Sequence, residues 1–215
     1  MALEIEVKYL NADHADLRQR LSRMGAHGVG RWFEANVVFD DAARSLKAAG
    51  TLLRLREKSG RVVLTLKCAS AENVSDAVKV CDEHETDVAD AASMRQILAG
   101  LGLTPALRYE KLREKWLVLG CEVCLDTLPF GDFVEIEGSE EDIATCAKAL
   151  ELQSDRASTA TYHDLNRQHR ESSGLPPEES FVFDDAAKSR LLARRATDGS
   201  GKFELDPLDM RPRSA

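Results

Sequence analysis

The chain lacks an apolar run long enough to cross a membrane: its longest, residues 116–125, is broken by Glu122. It also lacks an apolar segment near its start that would read as a signal peptide, so a cytoplasmic location is the expectation. Positive charge is not in excess. With 29 Lys and Arg against 37 Asp and Glu, the net charge of −8 argues against nonspecific binding to nucleic acid. Five cysteines, an odd number at irregular positions, argue against a disulfide framework. Cys121-x-x-Cys124 has no second pair and no nearby His to complete four zinc ligands, and strand residues three apart face opposite ways. Cys124 is expected to face inward and Cys121 outward. The glycines of Gly25-Ala26-His27-Gly28-Val29-Gly30 miss the GxGxxG spacing and lead from a helix into a strand, the reverse of a dinucleotide site, so this is a turn.

What the chain does have is alternation. Leu3-Glu4-Ile5-Glu6-Val7-Lys8 places two carboxylates and an ammonium on one face of a strand and three apolar residues on the other. The pattern recurs with changing sign. Arg54 and Arg56 share a face, and Lys67 shares one with Val63 and Thr65. Lys79, Cys81, Glu83 and Glu85 are in phase, as are Tyr109, Lys111, Arg113 and Lys115. Glu122, Cys124 and Asp126 follow, then Phe133, Glu135 and Glu137. With Glu34, Asn36, Val38 and Asp40 in phase over 33–40, eight strands are expected.

One such strand alone is an ordinary solvated face. Eight together suit a closed antiparallel eight-stranded β-barrel with an apolar outside under covering helices and a charged lumen, an α+β fold. Charge taken out of water must be paired, hydrated or liganded. Arg and Lys suit a polyphosphate, and carboxylates suit Mg²⁺ or Mn²⁺, hard ions usually shared with substrate phosphates. A metal–triphosphate complex satisfies both sets.

The ordered motifs Glu4-x-Glu6-x-Lys8, Leu53-Arg54-Leu55-Arg56, Leu64-Thr65-Leu66-Lys67, Glu110-Lys111-Leu112-Arg113, Gly131-Asp132-Phe133-Val134-Glu135-Ile136-Glu137 and Tyr162-His163-Asp164-Leu165 resemble the CYTH family over residues 1–167. These are the triphosphate tunnel metalloenzymes, among them class IV adenylyl cyclases and thiamine triphosphatases. The resemblance implies divalent metal binding by Glu4, Glu6, Glu135 and Glu137, with Asp126 as a further candidate ligand. It implies that Arg54, Arg56, Lys67, Lys111 and Arg113 hold the triphosphate. Lys8 would do the same, or act as a base if neighbouring cations lower its pKa. For Glu83 and Glu85, metal contact, base positioning and cation pairing are all open. The branch most resembled is the class IV adenylyl cyclase, which turns ATP into cyclic AMP and pyrophosphate. Hydrolysis of tripolyphosphate, thiamine triphosphate or a nucleotide uses the same equipment. A silent phosphate-binding module would need the cations but not the in-phase glutamates.

Around the strands, helices are expected over 13–24 with Asp13 as N-cap, over 41–49, over 91–101 and over 139–150. Residues 69–78 are polar and irregular, a mobile loop at a tunnel mouth. At 215 residues one domain suffices: residues 1–167 form the tunnel domain, and 168–215 form a tail of linker composition with a short helix, largely disordered. Within that tail, Val182-Phe183-Asp184-Asp185-Ala186-Ala187-Lys188-Ser189 nearly copies Val38-Phe39-Asp40-Asp41-Ala42-Ala43-Arg44-Ser45. Coincidence of helix-start chemistry is the favoured explanation. The sharper one is that the tail docks on a partner subunit or folds back near a tunnel mouth, with Arg190, Arg194 and Arg195 near its acids. A homodimer is compatible with a closed barrel but not forced by it, because no sheet edge is left free.

Overall fold

The computed structural model describes residues 2–70 and 77–197. Strand β1 (Ala2–Leu10) is followed by helix α1 (His14–Arg23), β2 (His27–Asp40), the single turn α2 (Ser45–Ala48), β3 (Leu52–Lys58) and β4 (Arg61–Ala69). Then come β5 (Lys79–Asp87), α3 (Ala91–Gly100), β6 (Thr104–Val118), β7 (Cys121–Leu128), β8 (Gly131–Glu137) and α4 (Glu140–Ala149). A two-residue strand β9 (Ala157–Ser158) and helices α5 (Tyr162–Ser172) and α6 (Asp185–Thr197) complete the described chain.

The strands run in the order β5-β4-β3-β2-β6-β7-β8-β1, all antiparallel, and β1 pairs with β5 to close the ring. This is the closed eight-stranded barrel expected from the alternation. β9 is a short addition to β1. Outward residues of β1, β7 and β8, among them Val7, Val123, Val134 and Ile136, pack under Leu17 and Leu21 of α1 and Ile143 of α4. Phe39 and Leu55 pack under Leu98 of α3. The hairpins β3–β4 and β6–β7 turn through Ser59-Gly60 and Leu119-Gly120, each pair at positive φ, the turn whose twist matches flanking strands.

Capping follows the expected chemistry. The Asp13 carboxylate accepts from the Ala15 and Asp16 amides at the head of α1, and Ser139 caps α4. The helix expected over 41–49 shrinks to Ser45–Ala48. Buried Asp40 accepts from the amides of Asp41, Leu46 and Lys47, and Asp41 accepts from Ser45, so a capped turn replaces the first helical turn.

Helix α5, which the sequence motif did not reveal as a helix, starts at a capping box between Thr161 and Asp164. Its Tyr162 and Leu165 meet Val38, Leu107, Tyr109, Leu128 and Phe133 in an apolar cluster where β2 and β7 end and β6 and β8 begin. These strand residues share the inward phase of the charged ones, so α5 and the cluster form a floor at one end of the barrel. The segment after α5, despite its linker composition, lies against the barrel: Phe181 is buried in the same cluster, and its backbone bonds to Arg108 and Glu110 of β6. The central part of the expected mobile loop, residues 71–76, and residues 198–215 lie outside the described residues, as do the side chains of Arg194 and Arg195. No helix among the described residues is long and apolar enough to cross a membrane.

Candidate functional site

The barrel encloses a cavity of about 690 Å³. Strand alternation delivers to its wall all but one of the residues singled out from sequence: Glu4, Glu6 and Lys8 from β1, Arg54 and Arg56 from β3, Lys67 from β4, Glu83 and Glu85 from β5, Lys111 and Arg113 from β6, and Glu135 and Glu137 from β8. Cys124 is on the interior face, and Cys121 packs in the outer core, as the three-residue spacing requires.

The exception is Asp126. It is fully buried behind the wall, and its two oxygens are occupied by cations. Arg113 donates to it at 2.7 and 2.6 Å, Lys111 at 3.1 Å and the Tyr162 hydroxyl at 2.8 Å. The geometry makes Asp126 a support for Arg113 and Lys111 rather than the further metal ligand considered from sequence. Lys8 and Lys111 lie 5.0 and 5.4 Å from the Tyr162 ring centre, so the floor of the cavity is an aromatic face topped by two ammonium groups.

Lys8 also departs from the expectation of cations that lower its pKa. It pairs with Glu6 at 2.7 Å and Glu135 at 3.2 Å, and Lys79 shares the same Glu6 oxygen. Burial favours the neutral amine, but Glu135 and Glu6 outweigh it and raise the pKa above the ordinary lysine value. With Glu6 and Glu135 as its partners, Lys8 holds its positive charge.

The remaining wall divides into paired groups. Lys67 meets Glu4 and, at 3.1 Å, Glu83. Lys79 meets Glu6 at 2.7 Å, and the Cys81 thiol donates to Glu4 at 2.9 Å. Arg56 meets Glu85 at 2.9 Å, while Arg54 donates to the Tyr109 hydroxyl at 2.9 Å and to Thr65 at 3.2 Å. Glu83 and Glu85, indistinguishable in sequence, separate here. Burial pushes Glu83 up to about 7, Lys67 opposes this, and Glu4 and Glu85 add to it. Burial also raises Glu85, but Arg56 overrides it and holds this carboxyl below its ordinary value. Glu83 is poised to exchange a proton near neutrality. Glu85 pins the arginines.

Glu137 is the acid that the wall does not neutralise. Burial, with Glu4, Glu122 and Glu135 nearby, pushes it up to about 8, and among the described residues no cation lies within ion-pair distance. Among those residues no three acidic, His or Cys side chains converge as a ready-made coordination shell. The acids instead reach toward lysines: burial raises Glu4, but Lys67 holds it down at about 2. The donor set is nonetheless all carboxyl, and Glu137, pushed up to about 8, keeps its proton near neutrality until a cation displaces it. Oxygen donors are the chemistry a hard divalent ion requires.

Several wall residues were not assigned a role from sequence. Glu34, Trp32 and Lys79 line the cavity, as do Tyr109, Tyr162 and His163. Glu34 and Lys79 carry the period-2 signal but no distinguishing motif. Trp32 lies just before the stretch recognised as a strand.

The CYTH domain profile matches residues 2–168. A Methanocaldococcus jannaschii protein named as a candidate adenylate cyclase is 27% identical over 150 residues, which span 69% of this chain and 84% of that one. Among solved structures, a candidate adenylate cyclase of Vibrio parahaemolyticus superposes with a TM-score of 0.65 at 21% identity, over 76% of this chain and 97% of its own. A Pyrococcus horikoshii protein gives 0.62 at 22% identity, over 74% and 96%. A Hippeastrum protein, described as a candidate adenylyl cyclase with a dominant triphosphatase activity, gives 0.55 at 18% identity, over 83% and 99%. At these identities the structural likeness is one of fold.

Proposed function

The chain belongs to the CYTH domain family, and from that membership we propose that it is a metal-dependent enzyme acting on a triphosphate inside the barrel, with ATP to cyclic AMP and pyrophosphate as the preferred reaction. The observation that carries this reading is one cavity whose wall joins Arg54, Arg56, Lys67, Lys111 and Arg113 to the carboxyl groups of Glu4, Glu6, Glu135 and Glu137.

The five cations bind the phosphate oxygens and stabilise charge that builds on the leaving group. Lys8 adds a fixed charge at the floor. Asp126 positions Arg113 and Lys111. Glu4, Glu6, Glu135 and Glu137 would hold Mg²⁺ or Mn²⁺, and the lysines now on those acids would turn to the phosphates. A divalent ion there supplies charge neutralisation for the triphosphate. In the cyclase reaction the 3′-oxygen of ATP bonds to the α-phosphorus and the bond from that phosphorus to the bridging oxygen breaks. Pyrophosphate leaves, and Glu83 takes the hydroxyl proton.

A triphosphatase is the second reading. The dominant triphosphatase activity described for the Hippeastrum protein favours it, and a cation wall of this kind grips any triphosphate. Product analysis decides. Purified protein with Mg²⁺ or Mn²⁺ is offered ATP, tripolyphosphate and thiamine triphosphate in parallel. Cyclic AMP with pyrophosphate supports the cyclase, and orthophosphate without cyclic AMP the triphosphatase. Tight binding of tripolyphosphate without any product would leave a silent phosphate-binding module and sink both.

A further inference from the structure

Hydrogen bonding divides the barrel interior unevenly. Glu4, Glu6, Glu135 and Asp126 each have a cation at hydrogen-bond distance. In the β2–β3 sector, by contrast, Glu34 Oε2, Asn36 Oδ1, Arg54 Nε and Arg56 Nε are buried without a hydrogen-bond partner among the described residues. Leaving such groups dry is costly, so the three of them that line the cavity, on Glu34, Arg54 and Arg56, point to a ligand.

Glu34 is the most demanding of the four. It has no exposed surface, and strand alternation turns it into the cavity beside Trp32. Its Oε1 accepts the Trp32 indole N–H at 2.8 Å. The nearest cations, Arg56 and Lys111, stand 3.8 Å away, outside hydrogen-bond range but close enough to keep the carboxyl ionised. Oε2 is thus a free acceptor on a permanent anion. Phosphate groups near neutral pH satisfy the arginine N–H donors but offer little to Glu34, which repels them. An O–H or N–H donor fits.

We infer that Trp32 and Glu34 on β2 seat the non-phosphate end of the substrate, so that the preferred ligand is a triphosphate ester whose organic part carries hydroxyl or amine donors, not inorganic tripolyphosphate. This rests on the triphosphate reading and extends it.

The test uses the full chain with metal and three ligands: ATP, methyl triphosphate, which has an organic end without donors, and tripolyphosphate. The wild type is expected to bind ATP at least about tenfold more tightly than methyl triphosphate by calorimetry. In Glu34→Gln the indole N–H holds the amide oxygen, which turns the amide N–H₂ toward the cavity and sets donor against donor. KM for ATP then rises about tenfold or more, while KM for the other two falls as negative charge leaves Arg56 and Lys111. Equal shifts for all three would overturn the inference. If the variant does not fold, the wild-type calorimetry decides alone: three equal affinities overturn the organic-end seat but leave the triphosphate reading intact. Absence of binding by all three would remove both.

Discussion

Asp126 and Arg113 face each other across the β6–β7 ladder and are joined by two hydrogen bonds, Nε to Oδ1 at 2.7 Å and Nη2 to Oδ2 at 2.6 Å. Such a forked pair fixes the guanidinium plane as well as its position. Arg113 Nη2 also reaches Glu135 at 2.7 Å, so one arginine links the buried support to the acidic wall.

Asp126→Asn should therefore act on the phosphates and not on the metal. It leaves Arg113 and Lys111 with a neutral partner in a buried setting, and breaking such a pair costs about 3–5 kcal/mol. KM for the triphosphate is expected to rise about tenfold or more. Affinity for Mn²⁺ without triphosphate, measured by calorimetry, should change less than KM does. A large loss of Mn²⁺ affinity with an unaltered KM would return Asp126 to the metal ligands.

Glu137 gives the metal prediction its sign. Its burial among Glu4, Glu122 and Glu135 is a strain on the metal-free barrel that a divalent ion relieves. Mg²⁺ or Mn²⁺ should raise the melting temperature and a chelator should lower it, because an ion that binds only the folded state stabilises it. Glu137→Gln removes the cost of holding this buried carboxyl protonated, so near pH 7 it should raise the melting temperature of the metal-free protein and shrink the metal-induced shift. Melting curves with and without metal report both. An undiminished shift in the variant would exclude Glu137 from the ion's surroundings.

Much of this site was legible because a barrel strand needs only a period of two. The phase of Glu4, Glu6 and Lys8 specifies one face of β1, and the same holds for Arg54 with Arg56 and for Glu135 with Glu137. Partner choice was not legible. Lys8 carries the same charge whether cations or carboxylates surround it, and only the β1–β8 register, which sets Lys8 opposite Glu135, decides that its pKa rises. Asp126 has the phase of an inward residue, but depth behind the wall depends on the side chains of Arg113 and Tyr162. The α2 helix failed for a local reason: Asp40 and Asp41 satisfy amides that a longer helix would have used. Phe181 sat in a stretch of linker composition, and nothing local marks a single phenylalanine as a tertiary anchor.

That anchor yields a stability prediction. Phe181 packs 5.2 Å from the Tyr109 ring and 5.3 Å from that of Phe130, and it exchanges backbone hydrogen bonds with β6. Glu179 adds ion pairs to Arg44 and Lys47 from the same segment. Phe181→Ala should cost about 3–5 kcal/mol in urea unfolding, the usual loss for a buried aromatic. It should also weaken triphosphate binding, because Tyr109 carries the hydroxyl that holds Arg54. A cost below about 0.5 kcal/mol, the level of a surface substitution, would show that the segment is not docked in solution.

His163 adds an acid-sensitive contribution to the fold. It stacks edge-on against Tyr109 at 5.2 Å and lies 5.3 Å from Phe181, with a buried Nδ1 that has no hydrogen-bond partner among the described residues. Burial lowers its pKa to about 4, with Arg54 and Lys47 adding to the shift and Asp164 and Glu179 opposing it. The unfolded chain, with a histidine near 6.5, binds the proton first as pH falls. The His163 contribution is therefore fully present above about 6.5 and is lost as pH drops from there toward 4, amounting to about 2 kcal/mol by pH 5. His163→Phe keeps the ring packing and removes the proton site. Unfolding free energies of wild type and variant, compared at pH 7.5 and pH 5, should show the variant losing about 2 kcal/mol less on acidification. Parallel losses in the two proteins would mean that the imidazole is hydrated in solution and that acid acts elsewhere, through the carboxylates of the tunnel.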